Sequence, residues 1–325
     1  MNPSNLIQSK DIYQEITDRI IQALEEGTPP WLKPWKNPEY NFALPRNAIS
    51  GRLYSGVNIL LLWIATAEKG YQQCKWITAI AANKLGGYVR KGEKATVVVN
   101  YCPMEREKCD DDGNPILDED GNPTMEHFAI LKRYPLFNIE QCEGLPSNIY
   151  DTIKDKSPKD PSISQYEIFE DIRKIIDGIS LNVKIIPSTR AFYRPSEDKV
   201  FMPEMKQFIS EQNFYSTLLH EMTHATGHKS RLNREGITSE KAKFGNKIYA
   251  FEELVAEMGG AFLCAHLGFN QVPQSAAYIQ SWIEVLKNDK RAIMRASGLA
   301  RNACEYMLET LNVQEQYDKY YPEVA

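Results

Sequence analysis

His220-Glu221-Met222-Thr223-His224 is the segment of this chain that most clearly indicates its fold and chemistry. The two histidines are about one helical turn apart, so both imidazoles lie on one face of a helix and can reach the same zinc ion. Glu221 lies at the edge of that face, where a carboxylate can hold the metal-bound water and take its proton. The alternative interpretation is a helix with two surface histidines. Three of the five histidines in the chain fall within nine residues, which favours a ligand cluster.

A catalytic zinc site needs a third protein ligand and an open position for water. The helix predicted at 249–267 carries Glu253 and Glu257 one turn apart. We expect Glu253 to bind the metal and Glu257 to accept a hydrogen bond from a ligand histidine. The reverse assignment and a solvated acidic helix face both stay open. His228 is a further candidate only if the helix breaks, because a continuous helix would place it about 12 Å along the axis from His220.

Hydrophobic periodicity and turn residues organise the rest of the chain. Helices are predicted at 11–26, 55–67, 78–85, 166–179, 211–227 and 249–267, and strands at 95–101, 127–137, 183–187 and 199–202. Strands followed by helices predict an α+β fold. We expect two domains, an N-terminal α/β nucleic-acid-binding domain at 1–145 and a C-terminal metallopeptidase domain at 165–325, joined by a polar, proline-containing linker at 146–164.

Charge is uneven along the chain, although the net charge is only -5. Residues 31–100 hold ten Lys and Arg against three Asp and Glu, whereas residues 105–126 hold nine acids against two bases. The basic stretch favours a polyanionic partner. The acidic stretch contains two Asp-Gly-Asn-Pro turns and is interpreted as a solvated hairpin. With no long apolar run and no CxxC pair, we expect a soluble, cytoplasmic protein without a membrane partner.

Aromatic and basic residues are interleaved in the basic stretch. Single-stranded nucleic acid is held by cations along its backbone and by rings that stack on its bases. Any single ring is more often a core residue, but Trp31 and Trp35, each near a proline and a lysine in a loop, look least like core. The predicted DNA-contact residues are Trp31, Lys33, Trp35, Lys36, Arg52, Tyr54, Trp76, Arg90, Lys91 and Lys94.

These motifs resemble those of ArdC-type antirestriction proteins over nearly the whole chain. The C-terminal marks are 220–228, 231–232 and 252–257, and the N-terminal marks are 30–31, 34–35, 54–58, 76–78 and 86–94. The resemblance implies a single-stranded-DNA-binding domain joined to a zincin-like metallopeptidase. It implies one zinc ion, or another divalent metal, per chain, and action on incoming mobile DNA such as a conjugating plasmid or a phage genome. Residues 110–120 are not assigned to the family pattern.

The substrate side of the site is expected at residues 191–203, a turn and a short edge strand that could pair with an extended peptide. Tyr193, Lys247 and Tyr249 are candidate oxyanion donors, and their spacing selects none of them.

Three functions compete: a DNA-associated metallopeptidase with an unknown protein substrate, a DNA-coating protein with a structural zinc, and a nuclease. The intact Glu221 argues against the second, because a structural site needs no general base. The nuclease ranks last, because two-metal nuclease sites are usually rich in carboxylates.

Overall fold

The computed structural model describes residues 11–27, 29–31, 43–110, 114–118, 120–151, 165–242, 246–269 and 278–311. Its N-terminal helices are α1 (Ile12–Glu25), α2 (Val57–Lys69) and α3 (Ala79–Lys84). The Asp11 carboxylate caps α1 by accepting a hydrogen bond from the backbone of Tyr13, and Thr78 caps α3 in the same way. The three predicted helices therefore form within two residues of the expected bounds.

A four-stranded sheet accompanies these helices, in the order β1 (Arg46–Asn47), β2 (Lys75–Ile77), β5 (Met125–Asn138) and β4 (Thr96–Glu107). Strands β1 and β2 are parallel and the other neighbours are antiparallel. Strands β4 and β5 pair over the whole of β4, so this ribbon is longer than the sequence predicts. The ends of β4 and β5 include part of the acidic stretch, and the described residues that connect the two strands form isolated bridges at Cys109–Pro115 and Leu117–Pro123. Strands β3 (Tyr88–Val89) and β6 (Cys142–Glu143) form a separate pair.

The C-terminal part contains α5 (Gln165–Gly178) and a three-stranded sheet in the order β7 (Asn182–Ile185), β9 (Lys199–Met202) and β8 (Phe192–Arg194). Strand β7 is parallel to β9, and β8 is antiparallel to β9 at the edge of the described sheet. The remaining helices are α6 (Glu211–Thr226), α7 (Glu235–Thr238), α8 (Lys247–Leu267), α9 (Ile279–Asn288) and α10 (Ala292–Leu308). The α+β class is confirmed.

Helices α6 and α8 form the centre of the C-terminal part, and both are buried along most of their length. Their close approach depends on Gly259 of α8. A β-carbon at this position would lie 2.5 Å from Cγ2 of Thr223 on α6, closer than any real contact. The small residue lets the two helices bring their polar side chains to a common point.

One hydrophobic cluster extends across the two predicted domains. Trp63 of α2 packs against Phe262 of α8 with ring centroids 5.9 Å apart, and Trp31 packs against Trp282 of α9 at 5.5 Å. The division at 145 and 165 stays a prediction; within the predicted linker the described residues form α4 (Ser147–Asp151). No helix among the described residues has the length and apolar character needed to cross a bilayer.

Candidate metal centre

Helix α6 presents the two histidines of the HExxH motif on one buried face. The helix begins at Ser210, whose hydroxyl accepts the backbone N–H of Asn213, and it ends at Gly227. His220 and His224 are only 4 % and 7 % exposed, with ring centroids 4.9 Å apart. The interpretation as surface histidines is therefore wrong.

Helix α8 brings Glu253 against both imidazoles. Its Oε2 lies 3.6 Å from Nε2 of His220, and its Oε1 lies 3.5 Å from Nε2 of His224. One potential ligand atom from each of the three residues lies within 4.8 Å of the others. Two imidazole nitrogens and a carboxylate that converge from two helices form a donor set suited to one divalent metal ion.

The other nitrogen of each ring faces a different carboxylate of α8. Nδ1 of His220 lies 3.1 Å from Oε2 of Glu257, and Nδ1 of His224 lies 3.4 Å from Oε1 of Glu252. Glu257 thus takes the position expected for a residue that orients a ligand histidine, while Glu253 faces the Nε2 side. Sequence reasoning missed Glu252, which it placed about 100° around the helix from Glu253.

Sequence reasoning also missed Arg234, which precedes α7. Its side chain is 2 % exposed, and it forms an ion pair with Glu252 with a shortest distance of 2.6 Å. A buried arginine needs such a partner. The available signal was the Glu252-Glu253 pair itself, because two adjacent acids point about 100° apart on a helix and need separate partners when both are buried.

The electrostatics of the site favour a positive charge between the imidazoles. Burial lowers the pKa of His224, but Glu253 and Glu252 outweigh it and raise the pKa to about 9. Burial likewise opposes the carboxylates that raise the pKa of His220 well above its usual value. Burial raises the pKa of Glu253, yet the two histidines outweigh it and lower that pKa. A divalent cation at this point would supply the charge that the buried carboxylates demand.

Glu221 is buried beside this cluster. Burial raises its pKa, and the two histidines and a hydrogen bond from the backbone N–H of Tyr193 oppose the shift. Tyr193 belongs to β8, so the edge strand touches the proposed general base through its main chain. A carboxylate with a raised pKa is suited to accept a proton and to return it.

The three candidate oxyanion donors lie in different surroundings. The hydroxyl of Tyr193 donates a hydrogen bond to Asp198 at 2.7 Å. Lys247 is exposed, and its Nζ lies 3.7 Å from Oε1 of Glu284. Burial, followed by the charge of Glu253 and a hydrogen bond with it, raises the pKa of Tyr249, so its hydroxyl keeps its proton. Of the three candidates, Tyr249 is the one whose hydroxyl lies beside a candidate metal ligand, Glu253, and its role as an oxyanion donor stays a prediction.

His228 lies outside the ligand cluster. Its Nδ1 is 2.7 Å from the hydroxyl of Ser230 and 3.8 Å from Oδ2 of Asp198. Gly227 does end the helix, as the third-ligand hypothesis for His228 required, but His228 is not in the ligand group. Among the described residues, the group of possible ligands contains His220, His224 and Glu253.

The predicted DNA-contact residues divide into three groups. Trp31 and Trp76 are fully buried, so neither offers a face to a base, and their assignment is corrected to core residues. Lys33, Trp35 and Lys36 lie outside the described residues. The remaining members reach the surface to different degrees: Arg52, Arg90, Lys91 and Lys94 are exposed, and Tyr54 is half-buried.

Two family models match this chain. Residues 10–137 match the N-terminal domain of anti-restriction factor ArdC, and residues 170–299 match a zincin-like metallopeptidase. The second match includes all of the metal-ligand candidates and the glutamates around them.

Curated relatives of different lengths match the chain. An uncharacterized protein, y4eC, from Sinorhizobium fredii (strain NBRC 101917 / NGR234) is 34 % identical over 299 residues, which is 91 % of each chain. Two proteins from Escherichia coli named DNA primase TraC are 35 % and 33 % identical over 96 % and 94 % of this chain. The chain spans only 21 % and 28 % of their lengths.

Two solved structures share the fold. The metal-free crystal structure of the antirestriction ArdC protein from plasmid R388 is 38 % identical, with a TM-score of 0.74, over 93 % of this chain and 98 % of that one. The Mn(II)-bound structure of the same protein superposes with a TM-score of 0.70 and covers 92 % of this chain and 98 % of that one.

Proposed function

The chain belongs to the ArdC family of antirestriction proteins, and from that premise we propose that it is a single-stranded-DNA-binding zinc metallopeptidase that protects incoming mobile DNA. One observation carries the peptidase half of the proposal. Glu221 is a buried carboxylate next in sequence to His220, one of three potential metal ligands, and a purely structural metal site would not require a general base there.

In this proposal His220, His224 and Glu253 hold the metal. The ion, when bound, polarises the scissile carbonyl and lowers the pKa of water. Glu221 takes the proton of the attacking water and passes it to the leaving amine, for which its raised pKa is suited. The hydroxyl of Tyr249 donates a hydrogen bond to the carbonyl oxygen as negative charge develops there.

The proposed substrate is an extended peptide that pairs with β8. This strand is at the edge of the described sheet. It pairs with β9 on one side, and its other side is where the peptide would pair. Main-chain pairing holds a peptide without regard to most of its side chains. The backbone N–H of Tyr193 contacts Glu221, so a peptide aligned on β8 would bring its carbonyl groups close to the general base.

A Glu221→Gln variant tests the peptidase proposal. Gln keeps the size of the side chain but cannot accept the proton, so turnover of an unfolded protein such as denatured casein should fall by orders of magnitude while metal content and melting temperature stay unchanged. His224→Ala provides the complementary control, because it should lose the metal itself. Full casein turnover by the Glu221→Gln protein would contradict the assignment of the general base.

The proposed DNA surface consists of the exposed basic residues of the predicted DNA-contact set, from which the buried tryptophans are excluded. Lys91 and Lys94 lie in the turn between β3 and β4, and Arg90 beside them is paired with Glu93 at 2.7 Å. Lysines free to reach a phosphate contribute salt-dependent affinity. We expect this turn to contact the DNA backbone.

A double Lys91→Ala, Lys94→Ala variant of the full chain tests this surface. Affinity for a single-stranded oligonucleotide should fall, and the salt slope should decrease by about 0.7 for each phosphate that the variant no longer neutralises. Lys229→Ala, Lys241→Ala is a matched control, because both lysines are exposed and the charge change is the same. Equal decreases in the two double variants would contradict a localised DNA surface.

Plasmid transfer into a restricting host separates coating from cleavage as the means of protection. The alternative function is a DNA-coating protein whose metal site is structural. We expect coating to suffice, because masking DNA requires no recognition of a particular restriction enzyme. Loss of protection with a folded, DNA-binding Glu221→Gln protein would show that cleavage is needed.

A further inference from the structure

Glu252 faces the side of His224 that points away from Glu253. Its Oε1 lies 3.4 Å from Nδ1 of the ring, while Nε2 of the same ring lies 3.5 Å from Oε1 of Glu253. The two carboxylates therefore flank one imidazole from opposite sides. A carboxylate at Nδ1 holds the proton there and leaves the lone pair of Nε2 for a metal.

Arg234 holds this carboxylate in place. Its Nε donates to both oxygens of Glu252 at 3.2 and 3.1 Å, and its Nη2 donates to Oε1 at 2.6 Å. The same guanidinium donates to the hydroxyl of Thr226 and to the backbone carbonyl of Thr223, each at 2.6 Å. Both threonines belong to α6, the helix that carries His224, so one buried side chain ties α6 to Glu252 of α8.

The backbone of α7 closes the remaining space around Glu252. A β-carbon at Gly236 would lie 2.5 Å from Cβ and 2.7 Å from Oε2 of Glu252. Any larger residue at position 236 would displace the Glu252 side chain from the place where it contacts Arg234 and His224. Gly236 and Glu252 line a cavity of about 800 Å³, and Gly298 of α10 lines the same cavity. A β-carbon at Gly298 would meet nothing within 4 Å.

We propose that Arg234, Glu252 and Gly236 form a positioning unit that fixes the ring orientation and tautomer of His224 for metal binding. The inference rests on the metal centre of the proposed function. It assigns a role to three residues that do not themselves reach the metal. His220 has its own carboxylate, Glu257, so the unit acts on one ligand only.

Zinc affinity of the full chain, measured by competition with a chromophoric chelator, tests the proposal. Glu252→Gln and Gly236→Ala should each weaken Zn²⁺ binding by about 10- to 100-fold, which is typical for partners of ligand histidines. Gly298→Ala is the matched control, because it adds the same methyl group in the same cavity away from Glu252, and its affinity should equal that of the wild type. Melting temperatures identify any variant that fails to fold.

A second measurement separates positioning from general stability. Selective ¹⁵N labelling of the five histidines reports the tautomer of each ring in the Zn²⁺-loaded protein. We expect the wild type to carry the proton of His224 on Nδ1 and Glu252→Gln to alter that signal while the signal of His220 is kept. Arg231→Gln serves as a control, since it removes a buried guanidinium that also donates to α6, at the carbonyl of Ala225, but pairs with Asp198 and not with Glu252.

Folded Glu252→Gln and Gly236→Ala proteins with wild-type zinc affinity would overturn the inference, as would a His224 proton on Nε2 in the wild type. Wild-type zinc affinity in these two variants would not affect the peptidase proposal, which needs the metal and Glu221 but not this unit. A His224 proton on Nε2 would also exclude that nitrogen as a metal ligand, so the proposed metal centre would fall with the inference. A wild-type chain that binds no Zn²⁺ would instead overturn the metal centre and the inference with it.

Discussion

Trp31→Ala tests whether this indole belongs to the core or to a DNA-binding face. The side chain is fully buried, and its ring meets that of Trp282 edge-on at 5.5 Å and 73°. Loss of a base-stacking residue would cost DNA binding about 1–3 kcal/mol. The structure predicts a different effect, because removal of a buried tryptophan leaves a cavity that costs the folded state roughly 3–5 kcal/mol.

Two further variants separate the contributions to this cost. The edge-to-face pair contributes about 0.5–1.5 kcal/mol beyond its burial, so a double-mutant cycle with Trp282→Ala should return a coupling of that size. Trp31→Phe should cost less than Trp31→Ala. It keeps most of the ring, and it deletes an indole N–H for which the described residues supply no acceptor.

Thermal unfolding followed by circular dichroism measures the effect. A loss of this size should lower the melting temperature by roughly 10 °C. Affinity for a single-stranded oligonucleotide, measured well below both transitions, should stay unchanged. A Trp31→Ala protein that melts with the wild type and binds DNA much more weakly would refute the core assignment.

Three other expectations concern stability. Burial, aided by Arg46, lowers the pKa of His266 to about 4. Between about pH 6.5 and 4 the unfolded chain therefore binds a proton that the folded chain does not. As the pH decreases through this range, the free energy of unfolding should decrease by up to about 3 kcal/mol. Urea unfolding at pH 7 and 5 should show a smaller fall in His266→Gln, and equal falls would contradict this cause. Gly259→Ala should cost about 1–3 kcal/mol through overpacking against Thr223, and Thr223→Ala in the same chain should recover part of it; no recovery in thermal melts would exclude that contact. Removal of metal by a chelator should lower the melting temperature and Zn²⁺ should restore it, because the ion binds the folded state; identical melts with and without Zn²⁺ would argue against the site.

Local patterns predicted most of the secondary structure. Periodicity and capping residues located α1, α3, α6 and α8 to within about two residues, because these signals depend only on neighbours in the chain. The β4–β5 ribbon was predicted too short. Its outer part alternates less clearly, and its partner strand, rather than its own composition, determines where pairing ends.

Burial was predicted less well than secondary structure. Trp31 follows a proline in a polar loop and looks exposed in the sequence, but its partner Trp282 is about 250 residues away in the chain. Trp76 belongs to a three-residue strand whose neighbours in the sheet come from distant segments. Composition reveals interleaved aromatics and cations, but it cannot say which rings a tertiary contact will cover.

The spacing of His220, Glu221 and His224 sets the directions of these side chains on any helix, so the sequence alone was enough to predict a metal site on α6. How the carboxylates of α8 divide among the imidazole nitrogens depends instead on the packing of the two helices. Glu253 and Glu257 are equivalent in spacing, and the crossing of α8 over α6 at Gly259 brings one to the Nε2 side and the other to Nδ1 of His220. The tie between Arg234 and Glu252 depends on that same crossing, since no spacing along the chain brings those two side chains together.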